Sequence, residues 1–303
     1  MKIAENSSQR VLVLGAGGFL GRHLVELLGP RALPVVRPSA QIQGGALAHD
    51  LREERGLRAL LDDSGARLVI NCAAMASPAL CEEHRGAATA LNAELPRALG
   101  GWSAESGARV IHVSTDLVFG ASAAPAGGFL EEDAPDPVSF YGESKAEGEV
   151  ALIERNPGAL VVRLPLLYGD PKGTGRGASE ALFSSLIRGE RPSLFTDEWR
   201  CPLPVSVAAS ALAELADEQL SGVLHVAGAE RVNRFELGLA IHLERFREHE
   251  RARHELRACL RSELGLSPRR PEDASLSTRR AAALLDTKLP DLAEGVRLAA
   301  YPA

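Results

Sequence analysis

Residues 11–28, V-L-V-L-G-A-G-G-F-L-G-R-H-L-V-E-L-L, leave few folds open to this chain. Four consecutive apolar residues read as a strand covered on both faces, and Gly15 breaks the run. Helical spacing then resumes at Phe19, Leu20, His23, Leu24, Leu27 and Leu28. Strand, glycine turn and helix in that order predict a parallel sheet whose first helix starts against an anion, in the manner of dinucleotide-binding proteins. Gly15 permits the tight turn, Gly18 lets the backbone approach a pyrophosphate, and Gly21 lets helix and strand pack closely. The helix start offers free N–H groups and the positive end of its dipole. The spacing is G-x-x-G-x-x-G and departs from G-x-G-x-x-G, because Leu20 stands where the last glycine would be.

The first half continues to alternate strands with helices, which implies a parallel sheet. Strands are predicted at 32–37, 46–51, 67–73, 109–114 and 160–164, with a late strand at 222–226 returning to the sheet. Helices are predicted over 53–63, 83–105 and about 139–155. The second half differs in texture. A glycine-rich basic loop at 171–177 leads to a helix at 178–188, and the prolines of 191–204 exclude a helix interior there. Residues 235–264 read as helical and heavily charged, with a solvated face. The fold class expected is therefore α/β, a Rossmann-type doubly wound parallel sheet with a smaller C-terminal α/β substrate lobe. Residues 1–164 form the dinucleotide-binding domain, with 204–227 returning to it, and 165–303 form mainly the lobe.

Bulk properties exclude several classes. At 303 residues the chain can bury a substantial core. A net charge of −6 gives no general affinity for nucleic acid or acidic membrane. No apolar run approaches the roughly 18–20 residues that span a bilayer, and the polar start M-K-I-A-E-N-S-S-Q-R does not read as a signal peptide. A cytoplasmic protein is expected. Cys72, Cys81, Cys201 and Cys259 lack C-x-x-C pairing, so free, mostly buried thiols and no metal centre are expected.

The chemistry concentrates in F-Y-G-E-S-K-A-E-G-E (140–149). Tyr141 and Lys145, four residues apart, share one face of a helix about one turn apart, where a lysine nitrogen and a phenol can hold one ligand. The chain has only three tyrosines and four lysines, so chance placement of such a pair is rare. Thr115 follows strand five at the carboxyl edge of the sheet, where α/β proteins bind ligands, with Ser114 and Asp116 beside it. His112 lies within that strand and reads as a packed core histidine.

In these motifs the chain resembles the extended short-chain dehydrogenase/reductase superfamily, and within it the dTDP-4-dehydrorhamnose reductase branch. The markers are G-A-G-G-F-L-G (15–21), N-C-A-A (71–74), H-V-S-T-D-L-V-F-G (112–120), Y-G-E-S-K-A-E-G-E (141–149), R-L-P-L-L-Y-G (163–169) and T-D-E-W-R-C-P (196–202). The resemblance implies that Thr115 hydrogen-bonds the reacting carbonyl and that Tyr141 protonates the nascent alkoxide. It also implies that Lys145 holds the nicotinamide ribose and, with the oxidised nicotinamide, lowers the phenol's pKa from its free value of about 10. Gly15, Gly18, Phe19, Leu20, Gly21, Asp50, Leu51, Cys72, Ala73 and Ala74, with Tyr141 and Lys145, would then hold the cofactor; Asp50 matches the position that meets the adenine amino group. Ser114, Asp116 and Arg200 would meet substrate.

Arg37 stands at the end of strand two where no acid is present, which favours NADP(H) over NAD(H). Lys172, Arg176, Arg188 and Arg191 are further candidates for a diphosphate, and Trp199 for stacking. The function implied is NADPH-dependent reduction of a 4-keto nucleotide-activated deoxysugar by a monomer or homodimer. The alternatives are a regulatory subunit like the methionine adenosyltransferase β subunit, or an NAD-dependent nucleotide-sugar epimerase or dehydratase. The charged segment 244–262 fits the branch poorly and leaves the sugar open.

Overall fold

The computed structural model describes residues 9–38, 46–175, 177–246, 255–265 and 269–299. Its centre is a parallel seven-stranded sheet. In chain order come β1 (Val11–Leu14), α1 (Phe19–Leu28), β2 (Ala32–Val36), β3 (Leu47–Ala48), α2 (Glu54–Ser64) and β4 (Leu68–Asn71). Then follow α3 (Leu95–Ser106), β5 (Arg109–Thr115), α4 (Phe140–Arg155) and β6 (Leu160–Leu164). After α5 (Ala178–Ile187) and α6 (Val205–Leu215), β7 (Gly222–His225) pairs parallel with β6. The strand order is β7-β6-β5-β4-β1-β2-β3.

Helices cover both faces because the central strands carry apolar side chains on both sides. Val11 and Val13 face one cluster with Leu20, Leu24 and Leu28 of α1 and Ala208, Leu212 and Leu215 of α6. Leu12 and Leu14 face the other, with Leu57 and Leu61 of α2, Leu99 and Trp102 of α3 and Leu152 of α4. Chain order reverses direction at β1, so a crevice opens between the β1 and β4 ends, the usual ligand position in such sheets.

The glycine turn sits in that crevice. Gly15 has φ +77°, and a Cβ there would lie 2.6 Å from the backbone nitrogen of Ala73. A Cβ on Gly21 would lie 2.3 Å from the Gly15 carbonyl oxygen, so α1 rests directly on the turn. Gly21→Ala is accordingly expected to lose roughly 1–3 kcal/mol of stability by overpacking and to weaken dinucleotide binding. Chemical denaturation and cofactor titration measure the two effects.

Three elements differ from the sequence-based expectation. The third strand is two exposed residues rather than 46–51, because it lies at the sheet edge. The helix expected over 83–105 is interrupted. Short helices Pro78–Glu83 and Arg85–Thr89 lead through a π turn, Ala90–Glu94, into α3. The wider turn carries buried Asn92, whose amide bonds both backbone groups of Met75 (2.9 and 3.2 Å) and Ser144 Oγ (3.0 Å). Gly148 of α4 approaches so closely that a Cβ there would fall 2.0 Å from the Asn92 carbonyl oxygen.

The third difference lies in 235–264. A helix, Arg234–Phe246, is present, but Arg257–Cys259 is a strand paired parallel with Ser193–Phe195. Cys259 is buried there, which a solvated helix does not require. Residues 247–254 of the charged segment lie outside the described residues. The lobe also pairs Trp199–Arg200 antiparallel with Val232–Asn233, which brings Arg200 toward the sheet. Among the described residues, no helix is long and apolar enough to cross a membrane.

Candidate active site

Two elements bring the chemistry together. β5 ends at Thr115 because its hydroxyl accepts from Leu117 N–H (3.2 Å), which starts a single 3-10 turn. α4 starts where Ser139 caps it, accepting from Gly142 N–H (3.3 Å), with Glu143 in its first turn and Arg155 in its last to match the helix dipole. Packing α4 beside β5 buries Tyr141, Ser144, Lys145 and Glu149 on one side of the helix.

Burial pushes the Tyr141 phenol above its ordinary value; a hydrogen bond with the Thr115 hydroxyl opposes this and the Asp116 charge adds to it. That direction is opposite to the expected pull by Lys145, whose nitrogen instead donates to Val113 O (2.7 Å) and lies 3.1 Å from His112 Nε2. Burial brings Lys145 down to about 8, against the charge of Glu149, one turn on. Desolvation, with Lys145 adding to it, holds His112 neutral, far below the usual imidazole range.

Thr115 Oγ1 donates to Asp116 Oδ1 (3.1 Å). Burial raises Asp116 to about 6, while Arg200 and Thr115 draw it back. Arg200 Nε lies 3.3 Å from Asp116 Oδ2, and its Nη1 donates to Trp199 O (2.6 Å). Ser114 Oγ is buried without a hydrogen-bond partner.

The structure thus brings Ser114, Thr115, Asp116, Tyr141, Lys145 and Arg200 to the carboxyl edge of the sheet. It adds three residues that sequence reasoning missed: Glu198, Arg234 and Arg270. Glu198 lies 3.6 Å from Arg200, 4.0 Å from Arg234 and 3.6 Å from Arg270. Three guanidiniums therefore converge on the Asp116 and Glu198 carboxylates, an excess of positive charge suited to an anionic ligand. Glu198 lay within T-D-E-W-R-C-P, but the two added arginines carry no local motif.

Other candidates disperse. Lys172 pairs with Glu26 and Arg188 with Glu190, and Arg191 is exposed. Arg176 lies outside the described residues. Trp199 carries the Arg231 guanidinium 3.9 Å from its ring centre. Asp50 is held by Arg52 through two side-chain bonds (2.8 and 2.5 Å), which lower it to about 2. Its carboxylate is therefore already paired, in contrast to a free adenine contact.

On the cofactor side, α1 starts at Gly18 without a side-chain cap, and no acid lies in its first turn. Its first N–H groups therefore suit a phosphate. Leu20 and Leu51 point into the core, which leaves only their backbones to face a ligand. Phe19 packs edge-on against His23. Ala73 and the half-buried Cys72 and Ala74 line the crevice opposite Gly15, with the Cys72 thiol pushed up to about 12 by burial. Arg37 is exposed just past the end of β2.

A parallel sheet in this order, a glycine turn at its reversal point and a Tyr–Lys pair beside β5 define an extended short-chain dehydrogenase/reductase. More narrowly, the chain belongs to the RmlD substrate binding domain family, whose profile matches residues 9–301.

The β subunit of methionine adenosyltransferase 2 from Bos taurus is 31% identical over 252 residues, covering 77% of this chain and 71% of that protein. The probable low-salt glycan biosynthesis reductase Agl14 of Haloferax volcanii is 35% identical over 233 residues, covering 75% and 77%. Among solved structures, a hypothetical dTDP-4-dehydrorhamnose reductase from Sulfolobus tokodaii superposes with a TM-score of 0.81 at 31% identity, covering 94% of this chain and 98% of that one. A dTDP-4-dehydrorhamnose reductase from Bacillus anthracis, solved with NADP, reaches the same TM-score at 22% identity, covering 96% and 98%, and supports the fold alone.

Proposed function

We propose that this protein is an NADPH-dependent reductase of a 4-keto nucleotide-activated deoxysugar. The observation that carries the reading is the convergence of Thr115, Tyr141 and Lys145 at the end of β5, beside the Asp116–Arg200 pair. NADPH, when bound, supplies the hydride. Tyr141, kept protonated by burial, gives its proton to the alkoxide oxygen; a charged Lys145 stabilises the phenolate left behind. Thr115 turns its hydroxyl from Asp116 to the substrate carbonyl. Arg200, with Arg234 and Arg270 behind it, offers guanidiniums to a diphosphate. Arg37, with no acid at the β2 end, favours the phosphate-bearing cofactor.

Two measurements bear on this reading. Thermal-shift titrations should show stabilisation by NADPH exceeding that by NADH, since selective binding to the native state raises apparent stability by mass action. Equal shifts would remove the assigned role of Arg37. The pH profile of kcat/KM is the second. Lys145 is charged below about 8 and neutral above, while Tyr141 remains protonated throughout that range. Activity should therefore hold on the acid side and fall as pH rises through about 8.

The similarity to methionine adenosyltransferase β subunits favours one other reading, a cofactor-binding regulatory subunit. It predicts a stoichiometric complex with a catalytic subunit and no turnover of NADPH with keto-sugars. Release of stoichiometric NAD on denaturation would point instead to an epimerase or dehydratase.

A further inference from the structure

From the sequence, Asn71, at the end of β4, is only part of the N-C-A-A marker, and His112 only a packed core histidine. Both are fully buried, and they form a chain of hydrogen bonds that ends on Lys145. The Ala73 N–H donates to Asn71 Oδ1 (3.1 Å). A backbone N–H can only donate, so this bond fixes which way the Asn71 amide points. Asn71 Nδ2 then faces His112 Nδ1 at 3.0 Å as a donor, and His112 must accept there. A neutral imidazole that accepts at Nδ1 carries its proton on Nε2. That proton faces Lys145 Nζ at 3.1 Å. An ammonium has no lone pair to receive it. The lysine nitrogen meanwhile donates to Val113 O at 2.7 Å, which either a neutral amine or an ammonium can do.

We propose that Asn71 and His112 are positioning residues that favour the neutral amine of Lys145, in which it accepts the His112 Nε2 proton and donates to Val113 O, and so set the pH at which the lysine gains its charge. Gaining a proton then requires Lys145 to break the His112 contact or His112 to move its proton from Nε2 to Nδ1, where Asn71 offers no acceptor. The lysine charge that a proton-donating Tyr141 needs is therefore controlled by an amide two residues before Ala73, at the dinucleotide crevice. Glu149, from its own helix, pushes the opposite way and favours the charged form, although its carboxylate is already bonded to Arg163; the Cys72 thiol, from the β4 end, faces the lysine uncharged.

The test is spectroscopic and needs no substrate or cofactor. Imidazole nitrogen NMR of the ¹⁵N-labelled protein reads the His112 tautomer, assigned by the peak lost in His112→Gln. Lysine ¹³Cε NMR reads the Lys145 titration, in a chain with only four lysines. The wild-type protein should show His112 protonated at Nε2. Lys145 should titrate near 8, well below the roughly 10.4 of a free lysine side chain. Asn71→Asp keeps an acceptor for Ala73 N–H but presents a second acceptor to His112. It should move the ring proton to Nδ1 and raise the Lys145 titration by about 1–3 units. A Lys145 shift with the ring proton still on Nε2 would reduce Asn71→Asp to a charge effect and overturn the relay. An Nδ1-protonated ring in the wild type, or a Lys145 that titrates at the free lysine value of about 10.4, overturns it without any variant. The proposal concerns the lysine on which the reductase reading relies. Because the spectra are taken on the protein alone, failure of one leaves the other standing.

Discussion

Replacing Tyr141 with phenylalanine is expected to lower kcat by about 10²–10⁴-fold, the usual contribution of a positioned general acid, with NADPH affinity changed little. The substitution removes one oxygen and leaves the ring in place. Its polar neighbour stays satisfied, because Thr115 Oγ1 still donates to Asp116 and accepts from Leu117 N–H. A large loss of rate therefore reads the lost proton rather than a damaged fold. Steady-state kinetics, with cofactor binding measured separately by fluorescence titration, distinguish the two. A variant retaining more than about a tenth of the wild-type rate would show that another group supplies the proton.

The second large effect is on stability. Glu149, one turn beyond Lys145, makes three bonds to Arg163: Nε at 3.1 Å to each carboxylate oxygen and Nη2 at 2.7 Å to one of them. Both side chains are at most 4% exposed. Arg163 reaches on to His225 Nε2 (3.2 Å), and its guanidinium lies 5.0 Å from the centre of the Phe119 ring. His225 is held neutral, pushed down to about 3 by burial and by the charge of Arg163. Glu149→Ala strands that guanidinium without a counter-charge, an arrangement that costs about 3–5 kcal/mol. Urea unfolding should show a lower midpoint with an unchanged slope. The double variant Glu149→Met with Arg163→Leu should be less destabilised than Glu149→Ala, because the buried guanidinium is removed with its partner. A larger loss in the double variant would mean the pair contributes chiefly through packing.

The sheet was legible because its strands are covered on both faces, so β1 appears as an unbroken apolar run and β4, β5 and β6 as runs rich in Val, Ile and Leu with single polar interruptions. The glycine turn was legible for a related reason: Gly15 and Gly21 meet backbone at distances no side chain allows. Thr115, Tyr141 and Lys145 could be found because strand end and helix spacing are local properties. What sequence could not supply was contact between distant segments. Arg234 reaches Glu198 through the pairing of Trp199–Arg200 with Val232–Asn233, and Arg270 through the separate bridge of Trp199 to Asp273. Asn92 interrupts the expected long helix because its amide is required by Met75 and Ser144, neither of which its own neighbourhood reveals. The upward push of burial on Tyr141, against the lowering expected from Lys145 with the oxidised nicotinamide, was equally hidden. Spacing placed the pair on one face, but His112 and Val113 from the adjacent strand hold the lysine nitrogen.

The reductase reading is tested most directly by isotope transfer. The protein is incubated with NADPH deuterated at the transferable position of the nicotinamide and with dTDP-4-keto-6-deoxy sugars. The sugar product is then examined by mass spectrometry and proton NMR. One deuterium at C4 of the sugar for each NADPH oxidised, abolished in Tyr141→Phe, is the predicted result. Absence of deuterium at C4 with every keto-sugar, from protein that binds NADPH and is correctly folded, would contradict it.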